Sequence, residues 1–446
     1  MSETRQRQKA GELLDFIDAS ASPWHAVAEM VRRLEAGAFQ RLEEGDPWQL
    51  ESGGRYYVVR DASTIAAFSL GSGRVVDHGF RIVGAHTDSP GFRVKPAGSQ
   101  SRGGHVSVDV ELYGGPIVAT FADRDLTLAG RVMTRDTTSG EVIPHLYHSR
   151  RPLLRLPNAA IHLNRQVNQD GLRFQQHDEL SLILASLSEG LPSSPGLRDH
   201  LAETLAVDAD DVLTWELAVA DAQPGAFFGL NDEYIATGRL DNLASCHAGL
   251  DALLAADPEA FPGVSMLVCF DHEEVGSQSF KGAQGSFLPD LVYRISHACQ
   301  AHGADRHRAA AASMVLSADM AHGYHPNFAR LYDDGNQAHL NAGPVIKVNA
   351  QQRYSTDAAA GAVFMALCEE AEVPCQKYIH RNDIPCGTTI GPITAAGIGV
   401  RTVDVGNAMW SMHSVRESAG AHDHSAMIDV LRHFFTRERL PWQERG

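Results

Sequence analysis

The sequence is short of cysteine, of long apolar runs and of positive charge, and each shortage excludes a class of protein. Its six cysteines are Cys246, Cys269, Cys299, Cys368, Cys375 and Cys386, with no Cys-x-x-Cys spacing. That pattern excludes a zinc cage of paired thiolates and fits reduced, buried thiols in a cytoplasmic protein. No apolar stretch reaches the length of about 18 residues that spans a bilayer. Met1 to Glu12 is polar and charged, which predicts no secretion signal. Lys and Arg number 38 against 55 Asp and Glu, a formal net charge of -17, and such a surface repels nucleic acid and anionic membranes. There is no repeat of fixed period and no low-complexity tract. Gly387-Thr388-Thr389-Ile390-Gly391 lacks the lysine of a phosphate-binding loop.

What is present suits a soluble globular chain. Its 446 residues predict roughly two or three domains. The most informative stretch is Asp271-His272-Glu273-Glu274-Val275-Gly276, which follows the apolar run Ser265 to Phe270. Adjacent carboxylates repel one another, and burying them costs about several kcal/mol unless a proton or cation compensates. Alone, this run reads equally as a solvated acidic loop. Three further segments repeat the grammar of a strand that ends in a metal-capable side chain. They are Arg81 to Ala85 before His86 and Asp88, Ser313 to Ala318 before Asp319, and Val400 to Val405 leading into a loop that ends at His413. Open α/β sheets gather ligands outside the carboxyl ends of parallel strands, so these side chains are expected to converge. Asp241 precedes the helix-like run Leu243 to Leu254, where an aspartate also reads as a plain N-cap. Two histidines and three carboxylates, with Glu273 spare beside Glu274 as a base, form the inventory of a two-metal hydrolase.

Along the chain, Glu3 to Phe39 has helical spacing with a break and restart at Ser22-Pro23, followed by strand-like runs at Tyr56–Val59, Thr64–Phe68 and Arg81–Ala85. Residues 1–95 therefore predict the first part of a catalytic α/β domain. Residues 96–224 predict an inserted β-rich domain. Within it Gly98–Gly104 reads as a linker or exposed loop, Val106, Val108 and Val110 as an alternating strand, Asp178–Leu187 as a helix, Leu191–Gly196 as a loop and Val212–Ala220 as a strand. Residues 225–446 complete the catalytic domain, with a frayed tail from Arg437. In Val345-Ile346-Lys347-Val348 alternation places Lys347 toward solvent.

At these residues the sequence closely resembles the M18 metallopeptidases, the aspartyl aminopeptidase family. The resemblance rests on Ala85–Pro90, Arg239–Leu243, Glu273–Ser277, Ser317–Gly323, Ile346–Asn349, Pro385–Pro392 and Met412–Glu417. It implies a zinc-exopeptidase (phosphorylase/hydrolase-like) α/β fold with a mixed, mostly parallel sheet and an inserted dimerisation domain that roofs the site. It also implies two divalent ions, zinc by default with cobalt or manganese admissible, and a role for each candidate. Asp241 bridges the metals, His86 and Asp319 complete one site, Glu274 and His413 the other, Glu273 is the general base and Asp88 is a supporting acid. Lys347 binds the acidic side chain of the substrate's first residue, and His162 reaches the active site of a neighbouring subunit in a dodecamer built from dimers. The implied activity is hydrolysis of the first peptide bond of peptides that begin with Asp or Glu. A carboxypeptidase or N-acyl-amino-acid deacylase of the same fold, or a catalytically silent scaffold, is the alternative.

Overall fold

The computed structural model describes residues 3–189 and 196–441. The loop expected at 191–196 falls outside these residues except for Gly196, and so do the last five residues of the tail. The chain forms two compact bodies. The first comprises Met1–Asp88, Gly225–Met412 and Glu417–Gly446, and the second Ser89–Pro224 with His413–Arg416.

The first body opens with two helices, Glu3–Ala19 and Pro23–Ala36. Ser22 caps the second through its hydroxyl, which accepts from the His25 amide, and Pro23 fits the first turn because no helical partner awaits its nitrogen. Behind them stands a nine-stranded sheet in the order Gln40–Arg41, Arg55–Arg60, Thr64–Leu70, Val264–Phe270, Phe80–His86, Met314–Ala318, Arg401–Gly406, Val345–Val348 and Gln376–Ile379. Five of its eight pairings are parallel, so the sheet is mixed and mostly parallel, as expected.

Its four inner strands, from Val264–Phe270 to Arg401–Gly406, run parallel to one another. They are apolar along their whole length because both faces are covered. Leu267, Cys269, Val83, Ala85, Leu316 and Val403 pack beneath the helices Leu240–Ala255 and Asp423–Thr436. Met266, Val268, Phe270, Ile82 and Val315 pack with Phe287–Ala298 and Ile390 on the other side. The register sets Phe270 beside His86 and Ala318 beside Val405, so the strands finish level at one edge. A five-stranded sheet, Ala226–Phe228, Tyr234–Thr237, Glu417–Gly420, Ala408–Trp410 and Ala321–His322, completes this body.

The second body is a six-stranded antiparallel sheet in the order Val142–His148, Leu126–Arg135, Val212–Asp221, Gly91–Arg102, His105–Tyr113 and Ser181–Ser186. Its core includes Phe92, Val108, Leu128, Leu182, Trp215 and Leu217, joined by Leu197 and Leu201 of the helix Leu197–Leu205.

Two local expectations are corrected here. Gly98–Arg102 is strand rather than linker, and the turn is confined to Gly103 and Gly104, whose φ of 58° and 79° suit a tight hairpin. Asp178–Leu187 is not helical: Ser181–Ser186 is a strand paired with His105–Asp109. Pairing with an open sheet edge, with Leu182 buried, outweighs a composition that favours helix. Among the described residues no helix is long and apolar enough to cross a membrane.

Candidate metal centre

His86 ends its strand and is only 1% exposed. Its Nδ1 lies 3.1 Å from the carbonyl oxygen of Asp88. A carbonyl only accepts, so Nδ1 carries a proton, and Nε2 is the nitrogen left to face a metal. Nε2 stands 3.4 Å from Asp241 Oδ1 and 3.6 Å from Asp319 Oδ1. Two ligands each about 2.1 Å from a shared tetrahedral cation are about 3.4 Å apart, so His86 Nε2 is spaced from each carboxylate oxygen as neighbouring ligands are in one shell.

Asp241 does not cap its helix. Its φ and ψ of -82° and 105° are not helical, and a cis peptide joins it to Asn242. The Asp241 amide donates to Glu417 Oε2 at 3.1 Å, and Asn242 Nδ2 donates to the Ala318 carbonyl at 2.8 Å. These bonds fix the backbone while the carboxylate faces His86.

Glu273 and Glu274 enter a single 3₁₀ turn, Glu273–Val275, bounded by His272 and Gly276 at φ of 63° and 94°. The buried Asp88 carboxylate holds this turn by accepting the Glu273 amide at 3.2 Å and the Glu274 amide at 3.1 Å. Ligand atoms of His86, Glu273 and Glu274 all lie within 4.8 Å of one another, as do those of His86, Asp241 and Asp319. Asp271, in the same acidic run, turns elsewhere. Its Oδ1 accepts the His272 amide at 2.9 Å and its Oδ2 pairs with buried Lys281 at 3.1 Å. Lys281 also holds Asp61 at 3.1 Å, so the turn is anchored from below.

Asp319 follows the strand Met314–Ala318, its amide bonded to the Val405 carbonyl at 2.9 Å. Alternation placed Lys347 toward solvent, and the structure corrects this: it is 2% exposed. Both faces of its strand are covered, so alternation carries no information there. The ammonium donates to Asp319 Oδ2 at 3.1 Å and to the Met320 carbonyl at 3.2 Å, and lies 5.2 Å from the centre of the Tyr354 ring.

His162 and His413 belong to the second body. His162 is exposed in a turn between Ile161 and Leu163, which are exposed as well. His413 has a φ of 69°, and its Nδ1 lies 3.1 Å from the Gly115 carbonyl oxygen. Sequence reasoning did not single out Glu417, Lys281 or Tyr354. Glu417 closes a motif already quoted, whereas Lys281 and Tyr354 carry no local pattern at all.

The electrostatics follow from crowding. Burial drives the Glu273 carboxyl up to about 8; His86 opposes the shift and the carboxylates of Asp319, Asp88 and Asp241 add to it. Glu274 is raised for the same reasons, with Asp241 the main neighbour. Burial lowers the basicity of His86, but its bonds with Asp241, Asp319 and Asp88 outweigh that and raise it well above the ordinary value. Imidazole and carboxylate donors with an excess of negative charge suit a zinc-type divalent ion, which corrects the imbalance that burial makes costly. The residues therefore fit a metal centre.

Comparison with known proteins gives the same answer. The sequence model of a family described as aminopeptidase I zinc metalloprotease (M18) matches residues 16–435. The probable M18 family aminopeptidase 2 of Ectopseudomonas mendocina is 47% identical over 433 residues, covering 96% of this chain and 98% of its own. A chain in a structure described as the Ape4 and Nbr1 complex superposes with a TM-score of 0.92 at 37% identity, covering 97% of this chain and 86% of that one. The S. cerevesiae mApe1 dodecamer superposes with a TM-score of 0.84 at 27% identity, covering 96% of each chain. Strand-end histidine and acids of the kind that hold zinc, in a fold and sequence matched along nearly the whole chain, make this protein a member of the M18 family of zinc metallo-aminopeptidases.

Proposed function

We propose that this aminopeptidase works with two divalent ions, prefers peptides beginning with Asp or Glu, and acts as a homo-oligomer. The observation that carries the reading is the gathering of His86, Asp241, Glu274, Asp319 and the spare Glu273 at one strand edge, with the ammonium of Lys347 on the same Asp319. His86 and Asp319 would hold one ion and Glu274 the other, with Asp241 shared. Ions bound there supply Lewis acidity for the scissile carbonyl and make water easier to ionise.

Glu273 then takes the proton of the attacking water and returns it to the leaving amine. Burial among acids raises the Glu273 carboxyl and bound cations would lower it again, a balance that suits a group which accepts and then returns a proton. Asp88 holds the Glu273 and Glu274 amides and so fixes the base relative to His86. Lys347 supplies the positive partner for an acidic first side chain, which favours Asp and Glu through ion pairing. The dodecameric state of the S. cerevesiae neighbour and the exposure of His162 support an assembly in which that histidine serves a neighbouring subunit.

Initial rates on Asp-, Glu-, Leu- and Lys-anilides, with zinc, cobalt or manganese restored to stripped protein, test the reading. Asp or Glu turnover dependent on metal is expected; dominant Leu turnover overturns the role of Lys347. Equal rates on an N-acetylated Asp substrate and its free-amine form point instead to a deacylase.

A further inference from the structure

The inner strand Arg401–Gly406 holds a fully buried acid, Asp404, that takes no part in the metal centre. Val403 and Val405 pack into the apolar core beneath the helices, so alternation turns Asp404 to the opposite face, toward the start of the helix Ile390–Ile398. Burying a carboxylate costs free energy unless its oxygens accept hydrogen bonds. Oδ2 accepts the amide and the hydroxyl of Ser355, each at 2.6 Å, and Oδ1 accepts the hydroxyl of Thr389 at 2.6 Å. The Asp404 amide donates in turn to Thr356 Oγ1 at 2.9 Å. A Cβ added at Gly391 would lie 2.6 Å from Oδ1 and nearer still to Oδ2, so only glycine lets the helix begin this close to the acid.

Both segments held in this way border Lys347. Tyr354, next to Ser355, is buried, and its ring centre lies 5.2 Å from Lys347 Nζ. Thr389 caps its helix by accepting the Gly391 amide at 3.2 Å, and the loop leading to it carries Cys386, which packs against the cluster of Tyr354 and Tyr378. Tyr378 stands beside Lys347 on the adjoining strand. Thr388 Oγ1 donates to the Arg353 carbonyl at 3.1 Å, which joins the two segments to each other as well as to the acid between them.

From this clasp we propose that Asp404 is a positioning residue for acidic substrates, one that sets Tyr354 against Lys347 and so aims the ammonium, a role that rests on the one proposed for Lys347. An ammonium has three N–H bonds, and two of them are directed at Asp319 and the Met320 carbonyl. The ring of Tyr354 attracts the same cation. Ring and bonds together therefore fix where the remaining positive charge is presented. Without the Asp404 carboxylate, the Ser355 amide and two hydroxyls lose their acceptor, and residues 353–356 lose their tie to the strand. Tyr354 moves with them. An ion pair with the first side chain of a substrate depends on that placement, whereas an apolar first side chain makes no use of the charge.

Separate kcat and KM values on Asp- and Leu-anilide, measured with zinc-restored protein, test this in Asp404→Ala, Asp404→Asn, Lys347→Met and the Asp404→Ala/Lys347→Met pair. In Asp404→Ala the KM for Asp-anilide is expected to rise about tenfold, while kcat on both substrates and the KM for Leu-anilide change by less than about threefold. Asp404→Asn keeps one acceptor oxygen and the shape of the side chain, so it is expected to fall between wild type and alanine. It supplies the same comparison if the alanine variant does not fold. With Lys347 already replaced, Asp404→Ala is expected to lower the preference for Asp by no more than about twofold further, since the two residues act through one contact. Equal KM increases on both substrates, no change in KM for either Asp404 variant, or losses that multiply in the pair overturn the proposal. The two readings fail differently. A Lys347→Met protein with unchanged preference removes the role of Lys347 and this one with it, whereas lost preference there beside unchanged preference in the Asp404 variants removes Asp404 alone.

Discussion

Replacing Asp88 with alanine removes the acceptor that holds the Glu273–Val275 turn, and the structure sets the size of the effect. The carboxylate is fully buried and accepts the amides of Glu273 and Glu274 at 3.2 and 3.1 Å. Hydrogen bonds to a charged group contribute about 1.5–3 kcal/mol each, so losing both costs about 3–6 kcal/mol. Part of this returns, because one carboxylate fewer crowds the cluster around Glu273. A net loss of roughly 2–4 kcal/mol is therefore expected for metal-free protein. The same turn carries Glu274, and Nδ1 of His86 lies 3.4 Å from Asp88 Oδ1. Loss of such a supporting contact lowers metal affinity by about 10–100-fold. Urea denaturation of stripped protein reads the first quantity and zinc competition with a chromogenic chelator the second. Asp88→Asn keeps one acceptor oxygen and should fall between wild type and alanine in both. If Asp88→Ala matches wild type in denaturation midpoint and zinc affinity, the turn is not held by this carboxylate.

Three other outcomes are expected. Glu273→Gln should retain its metal by elemental analysis while kcat falls by about 10²–10⁴, the usual worth of a positioned acid–base group; a rate near wild type removes Glu273 as the base. Lys347→Met should lose at least about 30-fold on Asp-anilide, the lower end of the roughly 2–5 kcal/mol worth of a truncated buried ion pair, and lose little on Leu-anilide; equal losses on both would mean a structural role. Buried His247 and His424 are bonded to each other at 2.8 Å, and burial holds His424 down to about 3 and His247 well below its ordinary value. An unfolded histidine takes up its proton near pH 6.5, so their contribution is complete above that pH. It is lost on acidification at up to about 1.4 kcal/mol per pH unit for each ring. Urea midpoints between pH 8 and pH 5 should fall less steeply in His424→Gln, and an identical slope refutes the assignment.

The inner strands were legible in the sequence because a sheet covered on both faces needs an unbroken apolar run, and a charge at the end of such a run stands out. His86, Glu274 and Asp319 were each found in this way, and the level register of the strands explains why distant segments meet. The helix break at Ser22-Pro23 was legible for a local reason, a cap followed by a proline. Ser181–Ser186 was not, because its strand state comes from pairing with His105–Asp109 and not from its own residues. The burial of Lys347 and the anchoring of Asp271 by Lys281 were equally invisible. Each is a long-range pairing of opposite charges, and neither side chain advertises its partner along the chain.

Interrupting one sheet with a second body has a consequence for synthesis on the ribosome. The strand Phe80–His86 emerges early, yet its neighbours Val264–Phe270 and Met314–Ala318 are translated only after the whole insertion. Until then its apolar edges have no mate, while the antiparallel hairpins encoded between them can mature as a local unit. Sequestering that waiting segment, by the opening helices or by a chaperone, becomes a condition for good yield, and slowing translation beyond residue 224 should increase aggregation of the nascent chain.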